Sequence, residues 1–370
     1  MKTIWAFFVF LVSVVLLFLA VTADIGSRPA TPIVPVREQS QTNSTTTQNQ
    51  TATSTTSLKE TTKTTIKKIP TVVSATTTTT IKTVPQTPID LVTINSQTRM
   101  ALVNILCDTK FGGPLSPISG SGVIVSSDGV ILTNAHIAQF FLLKDLDGKN
   151  SVQCVIRTGS PAYATYNAEL LYISPIWVSQ NKSILLEAEP KGSGEHDYAF
   201  LRITGRIDGS VMPASIPFLP ISLSEADPTG QFALLAAYPA GFLGGQSIVQ
   251  DLFQSSAETT IQKVFTFSKN TSDVLSVPGT IISQKGSSGG AVVNSVGQLM
   301  GIITTDTDAI QTSARDLNAI STTYINRDLK AESGSGIADI LSFPIAYAQN
   351  FNATIAPKLT EILTNALLQK

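Results

Sequence analysis

The chain is poor in the residue types that bind metals and nucleic acids. Its 370 residues include two histidines and two cysteines, and no CxxC motif occurs, so neither a metal site nor a cofactor is predicted. Lysine and arginine number 25 against 26 acidic residues, and the net charge of −1 gives no electrostatic basis for binding nucleic acid. Any chemistry must therefore come from a small number of side chains.

The scarcity of histidine restricts the interpretation of a glycine-rich serine segment, GSSGG at Gly286–Gly290. The segment is typical of a hairpin turn, but it also fits the G-x-S-x-G pattern that carries the nucleophile of α/β-hydrolases. In that fold the histidine follows the serine, whereas His136 and His196 both precede Ser288. The α/β-hydrolase interpretation fails, and a His–Asp–Ser order remains.

One of the two histidines is better placed to act as a base. His136 follows two short apolar strands, GVIV and GVILT, where a strand gives way to a helical turn. His196 directly precedes Asp197, and neighbouring side chains on a strand point to opposite faces, so Asp197 is poorly placed to hold His196. The preferred triad is His136 as base, Asp197 as orienting acid and Ser288 as nucleophile, and His196 is interpreted as structural or solvent-exposed.

Short β-branched segments separated by turns occur throughout the same region. They include LLYISPIWV from residue 170, AFLRI from residue 199 and GTIIS from residue 279. Regular short strands of this kind predict a β-barrel or a β-sandwich.

Three segments resemble, in order, the signature segments of trypsin-like serine proteases: TNAH at Thr133–His136, DYAFL at Asp197–Leu201 and GSSGG. The bacterial HtrA/DegP-like branch is most similar, but the chain after Ser288 is too short for the PDZ domain usual in that branch. The resemblance covers roughly residues 91–332. It implies a mainly β, chymotrypsin-like protease domain of two six-stranded barrels, with the triad in the cleft.

The resemblance also implies how the serine segment works. The backbone N–H groups of Gly286 and Ser288 form the oxyanion hole. Ser287 occupies the slot in which trypsin-type zymogens carry an aspartate. Because Ser287 cannot pair with a new N-terminal amine, activation through such an ion pair is not expected.

The substrate pocket that the resemblance implies is formed before the nucleophile and on the strand after it. Its residues are Ile282, Ser283, Thr304, Thr305 and Asp306. Ile282 stands where enzymes that cut after lysine or arginine have an aspartate, which favours cleavage after small or medium aliphatic residues. Asp306 would instead favour basic residues if the strand were shifted by a residue or two.

The two ends of the chain differ in composition from this domain. Residues 1–23 hold an apolar run that is typical of either a signal peptide or a retained membrane anchor, and both place the remainder outside the cytoplasm. Residues 24–90 are rich in threonine and are predicted to be a disordered linker. Residues 333–370 show helical spacing of apolar side chains, which predicts a tail that docks on the domain or contacts another copy in a homo-oligomer.

The cysteines, Cys107 and Cys154, lie on either side of His136. In an oxidising compartment they could form a disulfide, whose loop would contribute about 4 kcal/mol. The alternative is two buried thiols.

Together these features predict an extracytoplasmic serine endopeptidase that acts on polypeptides through an acyl-enzyme. One alternative is a protease-like binding module that has lost activity and is tethered at the cell surface. Another is an adhesin or wall-associated protein, which only the threonine-rich stalk suggests.

Overall fold

The computed structural model describes residues 90–109, 115–148, 151–186, 194–241, 243–267, 271–306 and 316–368. The segment expected to be a signal peptide or anchor lies outside these ranges, as does the expected linker apart from Asp90. Among the helices in these ranges, none combines the length and the apolar character needed to cross a membrane.

Six antiparallel strands close into a barrel in the first half of the described chain. They are β1 (Leu102–Thr109), β2 (Ile118–Ile124), β3 (Val130–Thr133), β4 (Val152–Thr158), β5 (Tyr163–Ile173) and β6 (Ala199–Arg206). Their order around the barrel is β1-β2-β3-β6-β5-β4, and β1 closes the ring by pairing with both β2 and β4. Ile105, Ile131 and Phe200 are fully buried and belong to an apolar core that also includes residues of the second half and of the C-terminal helices.

Seven antiparallel strands form a curled sheet in the second half. They are β7 (Phe232–Ala237), β8 (Ser255–Thr260), β9 (Lys263–Phe265), β10 (Val274–Val277), β11 (Ala291–Val293), β12 (Leu299–Asp306) and β13 (Leu317–Ser321). Their order is β8-β7-β11-β12-β13-β10-β9. The mainly β, chymotrypsin-like class is therefore confirmed, with one closed barrel and one half-barrel in place of two closed barrels.

Eight α-helices accompany the strands in the described ranges. They are α1 (Leu91–Ala101), α2 (Ala135–Ala138), α3 (Pro175–Gln180), α4 (Gly245–Gln250), α5 (Thr322–Ser333), α6 (Ile337–Ser342), α7 (Pro344–Thr354) and α8 (Ala356–Leu368).

The last three helices confirm the helical tail, which packs on the barrel. Asn352 Nδ2 of α7 donates to the Leu170 carbonyl of β5 at 2.8 Å, and Thr360 Oγ1 of α8 donates to the Leu142 carbonyl at 2.9 Å. Leu359, Leu363 and Leu367 of α8 are buried, so the apolar stripe of the tail is used within the chain. A contact with another copy stays a prediction.

Two segments expected to be strands contain other structures. The strand that begins LLYI ends at Ile173, because Ser174 Oγ caps the next helix by accepting from Trp177 N at 3.1 Å and Pro175 follows at the first helical position. GTIIS forms a turn, in which Thr280 N donates to Ser283 Oγ at 3.0 Å. In both segments short polar side chains bond the nearby backbone in place of a strand partner.

Cys107 and Cys154 form a disulfide, as the oxidising alternative predicted. They face each other across the β1–β4 pair, with Cα atoms 4.0 Å apart. The bond therefore joins the two strands that close the barrel.

Candidate active site

His136 lies in the short helix α2, directly after strand β3. Asn134 leaves the strand in an extended conformation and its carbonyl accepts from Ala138 N at 3.0 Å, which starts the helical turn. The Asn134 side chain donates to the Asp197 carbonyl at 3.0 Å. One residue of the TNAH segment thus both turns the chain into α2 and connects it to the segment that carries Asp197.

Both carboxylate oxygens of Asp197 accept hydrogen bonds from His136. Oδ1 accepts from the His136 backbone N–H at 2.9 Å, and Oδ2 lies 2.8 Å from His136 Nδ1. An ionised carboxylate can only accept, so Nδ1 carries the proton and the lone pair of a neutral imidazole is on Nε2. This arrangement suits a base that must take a proton at Nε2.

A third hydrogen bond keeps the Asp197 carboxylate in place. Thr304 Oγ1, on strand β12, donates to Oδ2 at 2.8 Å. Burial by itself raises the pKa of the Asp197 carboxyl, but the charge and hydrogen bonds of His136, with the bond from Thr304, lower that pKa more, so it lies below its ordinary value. The buried acid is therefore held in its ionised form.

The backbone of Ser288 is hydrogen-bonded to strand β2 of the barrel. Its carbonyl accepts from Ser121 N at 2.7 Å, and the Ser121 carbonyl accepts from Thr133 Oγ1 at 2.7 Å, three residues before His136. The next residue, Gly289, has a φ of +82° and donates to the Ile303 carbonyl at 2.8 Å. The Ser288 hydroxyl is half-buried and bonds to none of the described residues.

The preceding turn presents two backbone donors. Gly286 has a φ of +90°, and a Cβ atom there would lie 2.7 Å from the Tyr238 carbonyl oxygen, so the close approach requires glycine. Ser121 Oγ donates to the Gly286 carbonyl at 2.8 Å and accepts from Tyr238 N at 2.9 Å. Within the described part of the chain, the N–H groups of Gly286 and Ser288 donate to no acceptor, so both can donate to a bound ligand.

The five residues expected to line the substrate pocket have different surroundings. Ile282 is fully buried in the apolar core of the second half, and Ser283 is buried beside it. The hydroxyl of Thr304 is used by Asp197. Thr305 and Asp306 pair through their backbones with strand β13, and their side chains are outside the described part.

His196 has partners that the sequence did not indicate. Its Nδ1 lies 2.8 Å from Asp328 Oδ2 and 3.1 Å from Glu332 Oε1, both on helix α5. Their ligand atoms lie within 4.8 Å of one another, and these residue types could hold a metal ion. In the structure they form ion pairs with one another.

Sequence reasoning also missed Ser121 and the role of Thr304. Ser121 lies in the SGSG sequence within strand β2, and no local pattern there distinguishes it from Ser119. Thr304 was assigned to the pocket, and its side chain belongs to the group around Asp197 instead.

Residues 120–302 match the family model of the trypsin-like peptidase domain. The matched range contains His136, Asp197 and Ser288, and it supports a trypsin-like serine protease. Among curated proteins, none matches the chain.

Proposed function

We propose that the chain is a serine endopeptidase with His136, Asp197 and Ser288 as its triad. The match to the trypsin-like peptidase domain supports this proposal. The observation that carries the proposal is the pair of hydrogen bonds that the Asp197 carboxylate accepts from His136, one from the ring Nδ1–H and one from the backbone N–H. With Nδ1 donating to the carboxylate, Nε2 carries the lone pair that a general base requires.

In the proposed mechanism, Ser288 Oγ attacks the carbonyl carbon of a peptide bond while His136 Nε2 takes the hydroxyl proton. The N–H groups of Gly286 and Ser288 bind the oxyanion that forms, and one such donor is worth roughly 3–4 kcal/mol in the transition state. His136 then gives its proton to the leaving amine, and the acyl-enzyme on Ser288 is hydrolysed by water. Asp197 keeps the imidazolium oriented and stabilised throughout.

We further propose cleavage after small or medium aliphatic residues. The support is the residue type at position 282: an isoleucine offers no negative charge to a lysine or arginine side chain, and its own side chain is packed in the apolar core of the second half. A buried cation without a partner would cost several kcal/mol, on the order of the penalty for an unpaired buried charge. Cleavage profiling with an unbiased peptide library tests this, and dominant cleavage after lysine or arginine would contradict it.

We also propose that the enzyme acts outside the cytoplasm. The disulfide supports this location, because such bonds persist in oxidising compartments. The apolar run from Ile4 to about Val21 supports it further. Membrane fractionation followed by N-terminal sequencing distinguishes a cleaved signal peptide from a retained anchor, and a full-length chain recovered only from the cytoplasm would refute the location.

Labelling with a fluorophosphonate probe tests the activity itself. We expect the adduct on Ser288, and we expect Ser288→Ala to lose labelling and peptidase activity, because loss of such a nucleophile costs on the order of 10⁶ in kcat. Ser287→Ala is the matched control: its hydroxyl is buried and bonds to no described residue, so this variant should keep its activity. A wild-type chain that binds peptides but takes no label would favour the inactive binding module.

A further inference from the structure

The residue before Asp197 is joined to the helix that follows the last strand. His196 lies between Asp328 and Glu332, which are one helical turn apart on α5, and we call these three residues the helix clamp. His196 Nδ1 is 2.8 Å from Asp328 Oδ2 and 3.1 Å from Glu332 Oε1. Its backbone N–H donates to the hydroxyl of Tyr324, also on α5, at 3.2 Å.

The clamp holds an unusual backbone conformation. His196 has a φ of +58°, and it is the one residue other than glycine with positive φ in the described part. Such a conformation is unfavourable for a residue with a side chain, and it persists where the surroundings fix it. The Asp197 N–H donates to the Gly194 carbonyl at 3.2 Å and the Tyr198 N–H to the His196 carbonyl at 2.9 Å, so the turn at His196 sets the direction in which Asp197 leaves it.

Both carboxylates of the clamp are themselves anchored or buried. Glu332 accepts from Tyr172 Oη at 2.9 Å and from Ser174 Oγ at 2.8 Å. The exposed fractions of the side chains are 15% for His196, 11% for Asp328 and 5% for Glu332. The clamp is therefore largely shielded from solvent, and its ion pairs are less screened by salt than fully exposed ones.

The imidazole of His196 is held in its charged form. Hydrogen bonds to Asp328 and Glu332 raise its pKa to about 10 against the opposing effect of burial. The other ring nitrogen, Nε2, faces Glu195 Oε1 at 3.9 Å, and the Tyr324 hydroxyl lies 3.5 Å from Nδ1. A charged ring among acceptors keeps its bonds across the whole neutral range.

We propose that His196 is a positioning residue for the triad, through which helix α5 fixes the placement of Asp197. This rests on the proposed function, because only a peptidase gives the position of Asp197 a kinetic consequence. The Asp197 carboxylate is bonded directly to His136 and Thr304. The helix clamp adds a third support, which acts on the backbone through the adjacent residue His196. Loss of the clamp lets the turn relax and moves the carboxylate relative to His136 Nδ1.

The test compares His196→Asn and Asp328→Asn in the full chain. Asparagine tolerates positive φ, so the first variant removes the charged ring without adding backbone strain, and the second removes a charge with little change of shape. The matched control is Glu169→Gln, which breaks a different ion pair, that of Glu169 on strand β5 with Arg202 on strand β6 at 2.6 Å.

The kinetic readout is kcat on a peptide substrate, normalised to the fraction of folded enzyme, together with KM, which needs no such normalisation. We expect kcat to fall about ten- to a hundredfold in both clamp variants with KM unchanged, the size of effect that a misplacement of about 1 Å produces. The control should keep the wild-type kcat. A loss of stability with normalised kcat unchanged would reduce the clamp to a structural contact and overturn the proposal.

The spectroscopic readout does not depend on peptidase activity. We expect the proton between His136 Nδ1 and Asp197 to resonate far downfield in NMR spectra, because it lies in a short hydrogen bond of 2.8 Å to a carboxylate. The resonance should shift or broaden in both clamp variants and stay in place in Glu169→Gln. If the wild type takes no fluorophosphonate label, the proposed function fails, and this resonance still tests the clamp. An unchanged resonance in both variants overturns the clamp alone.

A thermal-shift measurement with Zn²⁺ and with EDTA completes the test, since histidine and carboxylates are also metal ligands. We expect neither to change the melting temperature. A rise with Zn²⁺ that disappears in His196→Asn would assign these residues to a metal and overturn the proposal.

Discussion

Replacing Gly289 with alanine would place a methyl group among the hydrogen bonds that hold the serine segment against the barrel. The new Cβ atom would lie 2.0 Å from the Ser121 carbonyl oxygen and 2.5 Å from Thr133 Oγ1, so the backbone has to move. The bonds from Ser121 N to Ser288 O and from Thr133 to Ser121 would be lost, at about 1 kcal/mol each. The left-handed φ of +82° adds about 1–2 kcal/mol for a residue with a side chain.

We therefore expect Gly289→Ala to lower the free energy of unfolding by about 3–4 kcal/mol and to abolish labelling of Ser288. Gly209→Ala is the matched control: Gly209 has a φ of +73°, but a Cβ there would meet no described atom within 4 Å, so only the backbone cost of about 1–2 kcal/mol applies.

Urea unfolding, analysed by linear extrapolation, measures the free energy of both variants. The reasoning is refuted if Gly289→Ala costs no more than Gly209→Ala, or if it labels at the wild-type rate.

Three other changes have defined outcomes. Thr304→Val removes a hydrogen bond to an ionised acid and should lower kcat roughly 10- to 100-fold with KM unchanged; equal kcat values would show that Asp197 does not need this bond. Changing Cys107 and Cys154 together to serine should cost about 4 kcal/mol in urea unfolding, and a reductant should then have no further effect. The raised pKa of His196 contributes stability that is complete below pH 6.5 and is lost as pH rises through about 10. The melting temperature of the wild type should therefore exceed that of His196→Asn at pH 6.5, and this difference should disappear as the pH is raised to about 10.

The sequence was sufficient for the parts of the fold and site that local segments encode. TNAH, DYAFL and GSSGG each combine a few neighbouring residues whose backbone conformation is set nearby, such as the strand-to-helix change at Asn134. The disulfide followed from two cysteines and an expected compartment. The apolar spacing of the tail was enough to predict its helices.

The sequence was not sufficient where a residue acts through a distant one. Thr304 contacts Asp197 from 107 positions away, Ser121 contacts Gly286 from 165 and His196 contacts Asp328 from 132. No local pattern specifies which of many threonines or serines meets a given partner across two packed halves. The turn in GTIIS and the helix that begins after Ser174 were both expected to be strands, and the cause of the difference is local. The side chains of Ser283 and Ser174 accept hydrogen bonds from nearby N–H groups that would otherwise pair with another strand.

The division of the site between two halves of the fold also gives it an order of assembly during synthesis. The strand after Asp197 completes the barrel at Arg206, so His136 and Asp197 can meet before Ser288 has been made. Thr304 comes next along the chain, and Asp328 and Glu332 of the helix clamp come last. On the proposed function, the triad is therefore incomplete in a nascent chain until Ser288 and the strands that hold it have been made and have folded.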